Sequence, residues 1–304
     1  MPITVLVPDD HGMSALSGLD GVRPLRFERG EPLPPGAADA EVLIPGMQAG
    51  SQLKALLAQL PNLKLVQLLS AGVESWLGAL PDGVQLANAR GAHGGSTAEW
   101  VVSALLSIYR DMREFDRAQK AREWAFHLTD TLQDKRVLVV GAGDLGQQLK
   151  RRLEPFDTTV TLVGTRARDG VRSVDELPSL LGQHDAVVIM VPVTPETTGM
   201  VDAKFLSLMA DGAILVNAAR GVIVDTDALL AELRSGRLRA ALDVTDPEPL
   251  PADHPLWTAP GLLLTPHVAG TVEGRYKRAY QVAARQIAQF AAGQDPDNLV
   301  TGKY

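Results

Sequence analysis

Apolar residues in this chain gather in short uninterrupted runs, separated by stretches with helical spacing and by turns rich in glycine and proline. The early runs fall at residues 4–7, 42–44, 64–68 and 84–87. The later ones fall at residues 137–140, 160–163, 186–191, 213–216, 240–244 and 262–264. Continuous aliphatic runs of this length suit parallel strands buried on both faces. Helical periodicity marks residues 51–59, 147–153, 225–235 and 278–292, and one long helix is expected over 96–112. Ser96 or Thr97 is the expected cap of that helix, with Glu99 in its first turn. Residues 31–36 hold three prolines and read as a surface loop. Strand and helix alternate throughout, so the fold class is α/β.

One run leads directly into a glycine motif. Val137-Leu138-Val139-Val140 is followed by Gly141-Ala142-Gly143-Asp144-Leu145-Gly146, and a helix begins at once. Strand, G-x-G-x-x-G turn and helix N-terminus form a dinucleotide site. Gly141 permits the turn, Gly143 lets a pyrophosphate approach the backbone, and Gly146 lets the helix pack closely on the strand. The helix dipole and its free N–H groups favour the phosphate charge. Because the motif begins near mid-chain, the first hundred residues need their own sheet. The expectation is two Rossmann-like or flavodoxin-like domains with parallel sheets and a cleft between them for cofactor and substrate. The dinucleotide-binding domain takes residues 96–273. A discontinuous substrate domain takes 1–95 and 274–304, the last helix returning to it.

The next strand indicates which dinucleotide. NAD sites usually end this strand on an acidic residue that binds the ribose 2′-hydroxyl. Here it ends Gly164-Thr165-Arg166-Ala167-Arg168, and the first carboxylate is Asp169. Thr165, Arg166 and Arg168 lie where a 2′-phosphate would sit, and guanidinium matches phosphate geometry. NADP(H) is therefore the expected cofactor, with NAD(H) a possible substitute.

Bulk properties narrow the class. The chain has 304 residues, enough for two cores, and a formal net charge of −7, which disfavours broad binding to nucleic acid or anionic membranes. It contains no cysteine, so disulfides, thiolate catalysis and Cys-based zinc sites are excluded. No cluster has metal-ligand spacing, and no metal is expected. The N-terminal segment reads as a first strand rather than a signal peptide, and no apolar run is long enough to span a membrane. A cytoplasmic enzyme is expected.

Three segments carry charged groups at strand ends, where ligand crevices of open α/β sheets lie. They are Asn217-Ala218-Ala219-Arg220-Gly221, the segment from Asp243 to Glu248-Pro249, and Thr265-Pro266-His267-Val268-Ala269-Gly270. These segments, together with Val191-Pro192-Val193-Thr194-Pro195-Glu196-Thr197-Thr198-Gly199, resemble motifs of the D-isomer-specific 2-hydroxyacid dehydrogenase family, in the family's order and over nearly the whole chain. The resemblance implies a catalytic set of Arg220, Glu248 and His267. The chemistry agrees independently: histidine is a natural proton donor near neutral pH, and a carboxylate would orient it. An arginine can hold the substrate carboxylate and polarise its carbonyl. Asp243 resembles the residue that meets the nicotinamide end. Val191, Pro192, Thr197, Ala218, Ala219 and Gly270 complete the expected cofactor contacts. His254 reads as part of a structural loop, and His93 could approach the cleft.

At the substrate end, Ser70-Ala71-Gly72 resembles the family loop whose amides bind the substrate carboxylate, although Ser70 and Glu74 depart from the commoner G-x-G-x-D pattern. The loop Pro45-Gly46-Met47-Gln48-Ala49-Gly50-Ser51 contains no arginine, and the first cation after it is Lys54. A phosphorylated substrate would lack its partner there. A small 2-keto acid of the glyoxylate or hydroxypyruvate kind is expected, giving the D-2-hydroxy acid. The alternatives are a non-enzymatic dinucleotide-sensing protein and an NAD-dependent phosphoglycerate dehydrogenase-like enzyme. Formate dehydrogenase, a further relative, has glutamine where Glu248 stands. A homodimer is expected, because in the resembling family the long helix and the segment after it pack across a two-fold; Trp100 and Ile108 could serve this.

Overall fold

The structure, a computed structural model, describes residues 2–46 and 53–301. The chain divides into two compact units, residues 1–93 with 273–304 and residues 94–272.

The first unit holds five strands: β1 (Ile3–Val7), β2 (Val22–Arg26), β3 (Ala40–Leu43), β4 (Leu65–Gln67) and β5 (Gln85–Ala87). They form an all-parallel sheet in the order β2-β1-β3-β4-β5, a flavodoxin-like arrangement. Alternate residues of β1 feed two cores, which explains the unbroken aliphatic run. Val5 and Val7 pack with Tyr280, Ala283 and Ile287 of the terminal helix, while Leu6 packs with Leu43, Leu57 and Trp76. Helix α1 (Asp10–Leu16) follows β1 and is capped by Asp9, whose carboxylate accepts from the Gly12 N–H at 2.9 Å. Helix α2 is Leu53–Leu57. Ser51 and Gln52, the start of the expected helix over 51–59, lie outside the described residues.

The second unit opens with α3 (Gly94–Tyr109) and α4 (Met112–Ala121). Seven strands follow: β6 (Arg136–Val140), β7 (Thr159–Gly164), β8 (Val171–Ser173), β9 (Ala186–Ile189), β10 (Ile214–Asn217), β11 (Arg239–Leu242) and β12 (Leu262–Leu264). Between them lie α5 (Asp144–Leu153), α6 (Leu177–Leu181), α7 (Ala203–Leu208) and α8 (Thr226–Arg234). The sheet is parallel throughout, in the order β12-β11-β10-β9-β6-β7-β8. This is the Rossmann order with one further strand at an edge, and the order reverses between β6 and β9. Val137, Val139 and Val188 face the cluster built on α3 and α5; Leu138, Val140 and Val187 face the other side. In the first unit, α9 (Arg275–Ala291) is the terminal helix.

The structure corrects several local expectations. β2 and β8 have no counterpart among the expected strands. Both are edge strands, half exposed, so neither carries an aliphatic run; β2 also contains Pro24, which an edge tolerates. The helix expected over 96–112 begins at Gly94, so Ser96 and Thr97 lie inside its first turn and neither caps it. Two glycines start it because α3 lies against α5: a Cβ at Gly94 would overlap the Asp144 carboxylate, and one at Gly95 would come within 2.9 Å of Arg152. The helix also ends early. Asp111 adopts φ 49°, which separates α3 from α4. The terminal helix starts three residues earlier than expected, at Arg275.

His184 ties α6 to the sheet. Its Nδ1–H donates to the Leu180 carbonyl at 2.7 Å, and its Nε2 accepts from the Thr161 hydroxyl at 3.0 Å. Burial lowers its pKa below the ordinary 6.5, partly opposed by the bond to Leu180. The neutral ring thus belongs to the folded state. Its stabilisation is complete above the unfolded value and is lost as pH falls from there towards the depressed folded value. Urea midpoints measured at about pH 5 and about pH 8 should fall on acidification, and the His184→Gln variant should show a flatter dependence. An unchanged slope would reject this assignment.

Candidate active site

The site residues of the second unit sit on loops at the carboxyl ends of its strands. After β6, Gly141 turns at φ 121°, and a Cβ there would overlap the Met190 carbonyl that follows β9. A Cβ at Gly146 would overlap the Gly141 carbonyl, so α5 seats directly on the turn. At Gly143 the opposite holds: no atom lies within 4 Å of where a Cβ would stand. That open space faces the N-terminus of ten-residue α5, whose N-cap Gly143 supplies no side-chain hydrogen bond. Free amides, a positive dipole end and an empty backbone approach together fit the pyrophosphate of a dinucleotide. Leu145 packs on the core, and Asp144 turns its carboxylate towards Gly94.

The loop after β7 bends back over this turn. Arg168 donates to the Ala142 carbonyl at 3.1 Å, which ties the two loops together, while Thr165 and Arg166 are exposed. After β9, the Thr197 hydroxyl accepts from the Thr194 N–H at 2.8 Å and donates to the Pro192 carbonyl at 2.7 Å. Thr197 therefore shapes its own loop. Val191 is half-buried against the core.

After β10, the fully buried Asn217 side chain closes a tight loop. Its Oδ1 accepts from the Ala219 N–H at 3.0 Å and its Nδ2 donates to the Arg220 carbonyl at 2.9 Å. Ala218 and Ala219 are buried, and Arg220 is half-buried, with Nη1 donating to the Ala219 carbonyl at 2.7 Å. A Cβ at Gly221 would overlap the Thr245 carbonyl, so this loop abuts the one carrying Glu248.

The loops after β11 and β12 are joined by the carboxylate of Asp243, which is 2% exposed. It accepts from the Thr265 hydroxyl at 2.6 Å, the Val268 N–H at 2.8 Å and the Ala269 N–H at 2.9 Å. The Asp243 carbonyl accepts the His267 N–H at 2.7 Å. His267 sits at φ 54°, a left-handed conformation that costs a non-glycine residue about 1 kcal/mol. The bonds to the Asp243 carboxylate, at roughly 1.5 kcal/mol each, outweigh it. So held, His267 donates from Nδ1 to Glu248 Oε2 at 2.9 Å. The other oxygen, Oε1, accepts from the Thr245 N–H at 3.0 Å. A cavity of about 570 Å³ opens beside this pair, lined by Thr245, Pro249, Leu250, Trp257 and Leu264 among others. The geometry thus joins Glu248 to His267 directly and sets the loop that carries Arg220 against the loop that carries Glu248. Gly270 follows on the same loop, half-buried. His254 caps a short turn, its Nδ1 accepting from the Leu256 N–H at 3.2 Å.

In the first unit, the loop after β4 has four successive carbonyls engaged from within the unit. Leu69 is held by His93 Nε2 at 2.8 Å, Ser70 by the Ala89 N–H at 2.8 Å, Ala71 by Asn88 Nδ2 at 3.0 Å and Gly72 by the Ser70 hydroxyl at 2.8 Å. Among the described residues, the Ser70, Ala71 and Gly72 amides donate to no protein group. Behind the loop lies a buried network. Gln67 and Gln286 both donate to the Asn88 carbonyl, and Asn298 donates to the Asn88 and Arg90 carbonyls. The sequence did not mark Asn88, Gln286 or Asn298 as site residues. Asn88 lies 198 and 210 positions from the other two, and no local signal links them.

Gly46 borders a separate cavity of about 530 Å³, with Pro8, Asp9, Arg26, Glu28, Arg29 and Arg275. Arg29 donates to the Pro45 carbonyl. A cation thus reaches this loop from a distant segment, which counting charges within 45–51 could not foresee. Met47 to Ser51 lie outside the described residues. No group of metal-ligating side chains occurs among the described residues, and no helix among them is long and apolar enough to cross a membrane.

A Rossmann sheet with this glycine turn defines a dinucleotide-binding α/β protein, and comparison with known proteins gives its family. The family model for the NAD-binding domain of D-isomer specific 2-hydroxyacid dehydrogenases matches residues 102–269, more than half of the chain. A glyoxylate reductase of Thermofilum pendens is 33% identical over 256 residues, 79% of this chain and 75% of that protein. A D-isomer specific 2-hydroxyacid dehydrogenase of Xanthobacter autotrophicus Py2, solved with NADPH and MES, superimposes with a TM-score of 0.83 at 31% identity, covering 99% of this chain and 98% of that one. An NADPH-dependent glyoxylate/hydroxypyruvate reductase of Sinorhizobium meliloti, solved with NADP and sulfate, gives 0.82 at 27% identity, with 98% of both chains covered. The chain belongs to the D-isomer-specific 2-hydroxyacid dehydrogenase family, NAD(P)-dependent oxidoreductases acting on CH–OH groups.

Proposed function

We propose that this chain reduces a small unphosphorylated 2-keto acid, of the glyoxylate or hydroxypyruvate kind, to the D-2-hydroxy acid with NADPH. The observation that carries this reading is the His267–Glu248 hydrogen bond at 2.9 Å, on strand-end loops of the sheet that bears the glycine turn. NADPH, when bound, would supply the hydride for the substrate's carbonyl carbon. His267, oriented through Nδ1 by Glu248, gives its Nε2 proton to the carbonyl oxygen. Arg220 holds the substrate carboxylate and polarises the carbonyl, and in the first unit the free amides of Ser70, Ala71 and Gly72 are donors suited to a carboxylate.

The Gly141, Gly143, Asp144, Leu145 and Gly146 turn takes the pyrophosphate. Val191, Pro192, Thr197, Ala218, Ala219, Asp243 and Gly270 border the rest of the cofactor. Three features support NADPH: no carboxylate between the end of β7 and Asp169, exposed Thr165 and Arg166, and an Arg168 guanidinium on the glycine turn. The NADPH and NADP named with the Xanthobacter and Sinorhizobium relatives agree with this. The substrate class follows the two glyoxylate-reducing relatives. A cytoplasmic setting is part of this proposal, since a reductase of this kind needs a supply of NADPH.

We also propose a homodimer, built on residues 123–131, a stretch with neither helix nor strand. Extended chain turns alternate side chains to opposite sides. On one side His127 stacks on Phe115 at 4.7 Å and bonds to Asp111 at 3.1 Å, pinning the stretch to α4. On the other, Trp124, Phe126 and Leu128 are 95%, 86% and 93% exposed. An apolar row of this kind suits a second copy, in which the same face is self-complementary.

Three outcomes are expected. Following the nicotinamide absorbance with glyoxylate and hydroxypyruvate, His267→Ala should lose about two to four orders of magnitude in kcat. Unchanged turnover, or efficient use of 3-phosphoglycerate alone by the unaltered enzyme, would overturn the reading. Arg166→Ala should raise KM for NADPH roughly tenfold while leaving NADH little altered; equal losses would remove Arg166 from phosphate recognition. Sedimentation equilibrium should show a dimer that the Trp124→Asp/Phe126→Asp double variant converts to monomer, and a monomeric parent protein would refute the assembly.

A further inference from the structure

The carbonyl bonds behind Ser70-Ala71-Gly72 single out one side chain. Two of those bonds, from Ala89 N–H and Asn88 Nδ2, come from the loop after β5, and the Ser70 hydroxyl supplies a third internally. The bond that opens the series, at Leu69, comes from His93 Nε2. Leu69 is fully buried in the core of the first unit, so its carbonyl is the point at which the loop leaves the sheet. A carbonyl only accepts, so Nε2 must carry the proton. His93 is also the last residue of the first unit before the chain enters α3 at Gly94.

We infer that His93 is a positioning residue for substrate binding, which fixes the loop so that its amides remain turned outward to meet the substrate carboxylate. This rests on the reading that those amides hold that carboxylate. Successive carbonyls drawn to one side leave the intervening N–H groups on the other, a concave anion site made of backbone. Such a site binds only while its donors stay aligned, and the loop offers no cation of its own to compensate for a donor that swings away. Removal of the Leu69 bond frees the loop at its root, and binding of the carboxylate weakens while chemistry at the carbonyl does not. Burial lowers the His93 pKa below 6.5; the Leu69 bond opposes this, and the charges of Arg278 and Arg275 add to it. The ring is therefore a neutral donor at physiological pH. The role needs a hydrogen-bond donor at that reach rather than a titrating group, and a glutamine amide can provide one.

The test compares His93→Ala and His93→Gln by glyoxylate kinetics with NADPH, and by binding of oxamate, an unreactive glyoxylate analogue, to the NADPH complex. His93→Ala is expected to raise KM for glyoxylate and Kd for oxamate about five- to tenfold, with kcat and NADPH affinity within about twofold. His93→Gln should restore both constants. A merely structural role would lower kcat and NADPH affinity together with the unfolding midpoint, or would leave the glutamine variant as impaired as the alanine one; either result overturns the inference. Ala71→Pro, which deletes one loop amide, separates the two levels. If Ala71→Pro weakens oxamate and His93→Ala does not, the positioning role fails while the carboxylate reading stands. If neither weakens it, or the unaltered enzyme binds no oxamate, the carboxylate reading fails and takes this inference with it.

Discussion

The Asp243 carboxylate is the constraint on which the second unit's site depends. A charge so deeply buried is tolerated only if donors surround it, and the loop after β12 supplies three. In satisfying the charge, that loop is folded into one shape. His267 is forced into a left-handed backbone conformation that a free chain would avoid. The imidazole thus meets Glu248 because of a carboxylate that bonds to neither side chain. Without Asp243 the pair would be two exposed side chains on mobile loops, with the entropy of both to overcome.

Loops from adjacent parallel strands converge because every strand points the same way and ends at the same edge. β6, β7, β9, β10, β11 and β12 each deliver one segment of the site. The segments are then braced against one another mainly by backbone, Gly141 against Met190 and Gly221 against Thr245, with the Arg168 side chain adding a bond to Ala142. Close packing of main chain on main chain leaves few alternative arrangements. The first unit achieves the same end differently, with a buried set of amides around the Asn88 carbonyl.

Much of this was legible in the sequence where the cause is local. Val137 to Gly146 declares strand, turn and helix because each residue's own conformational preference agrees with its neighbours. The central strands are equally plain, since burial on both faces leaves few polar positions. β2 and β8 were invisible because an edge strand needs no such run. Gly94 and Gly95, poor helix formers, open a helix because α5 leaves no room for a Cβ, a fact set by another segment. The same holds for Arg29 at Pro45, for Asn88 with Gln286 and Asn298, and for His93 at Leu69. Each is a contact between residues remote in the chain, and no spacing rule reports it.

Glu248 divides its two oxygens between a main-chain amide and the imidazole, so neither can rotate without stranding the other. The ring therefore cannot flip, and Nε2 always faces outward. In the proposed role that single atom releases a proton during reduction and collects one during oxidation, with no rearrangement between the two. The apparatus works like a turnstile with no ratchet: the ratios of reduced to oxidised nucleotide and of keto to hydroxy acid, not the architecture of the protein, decide which way traffic passes.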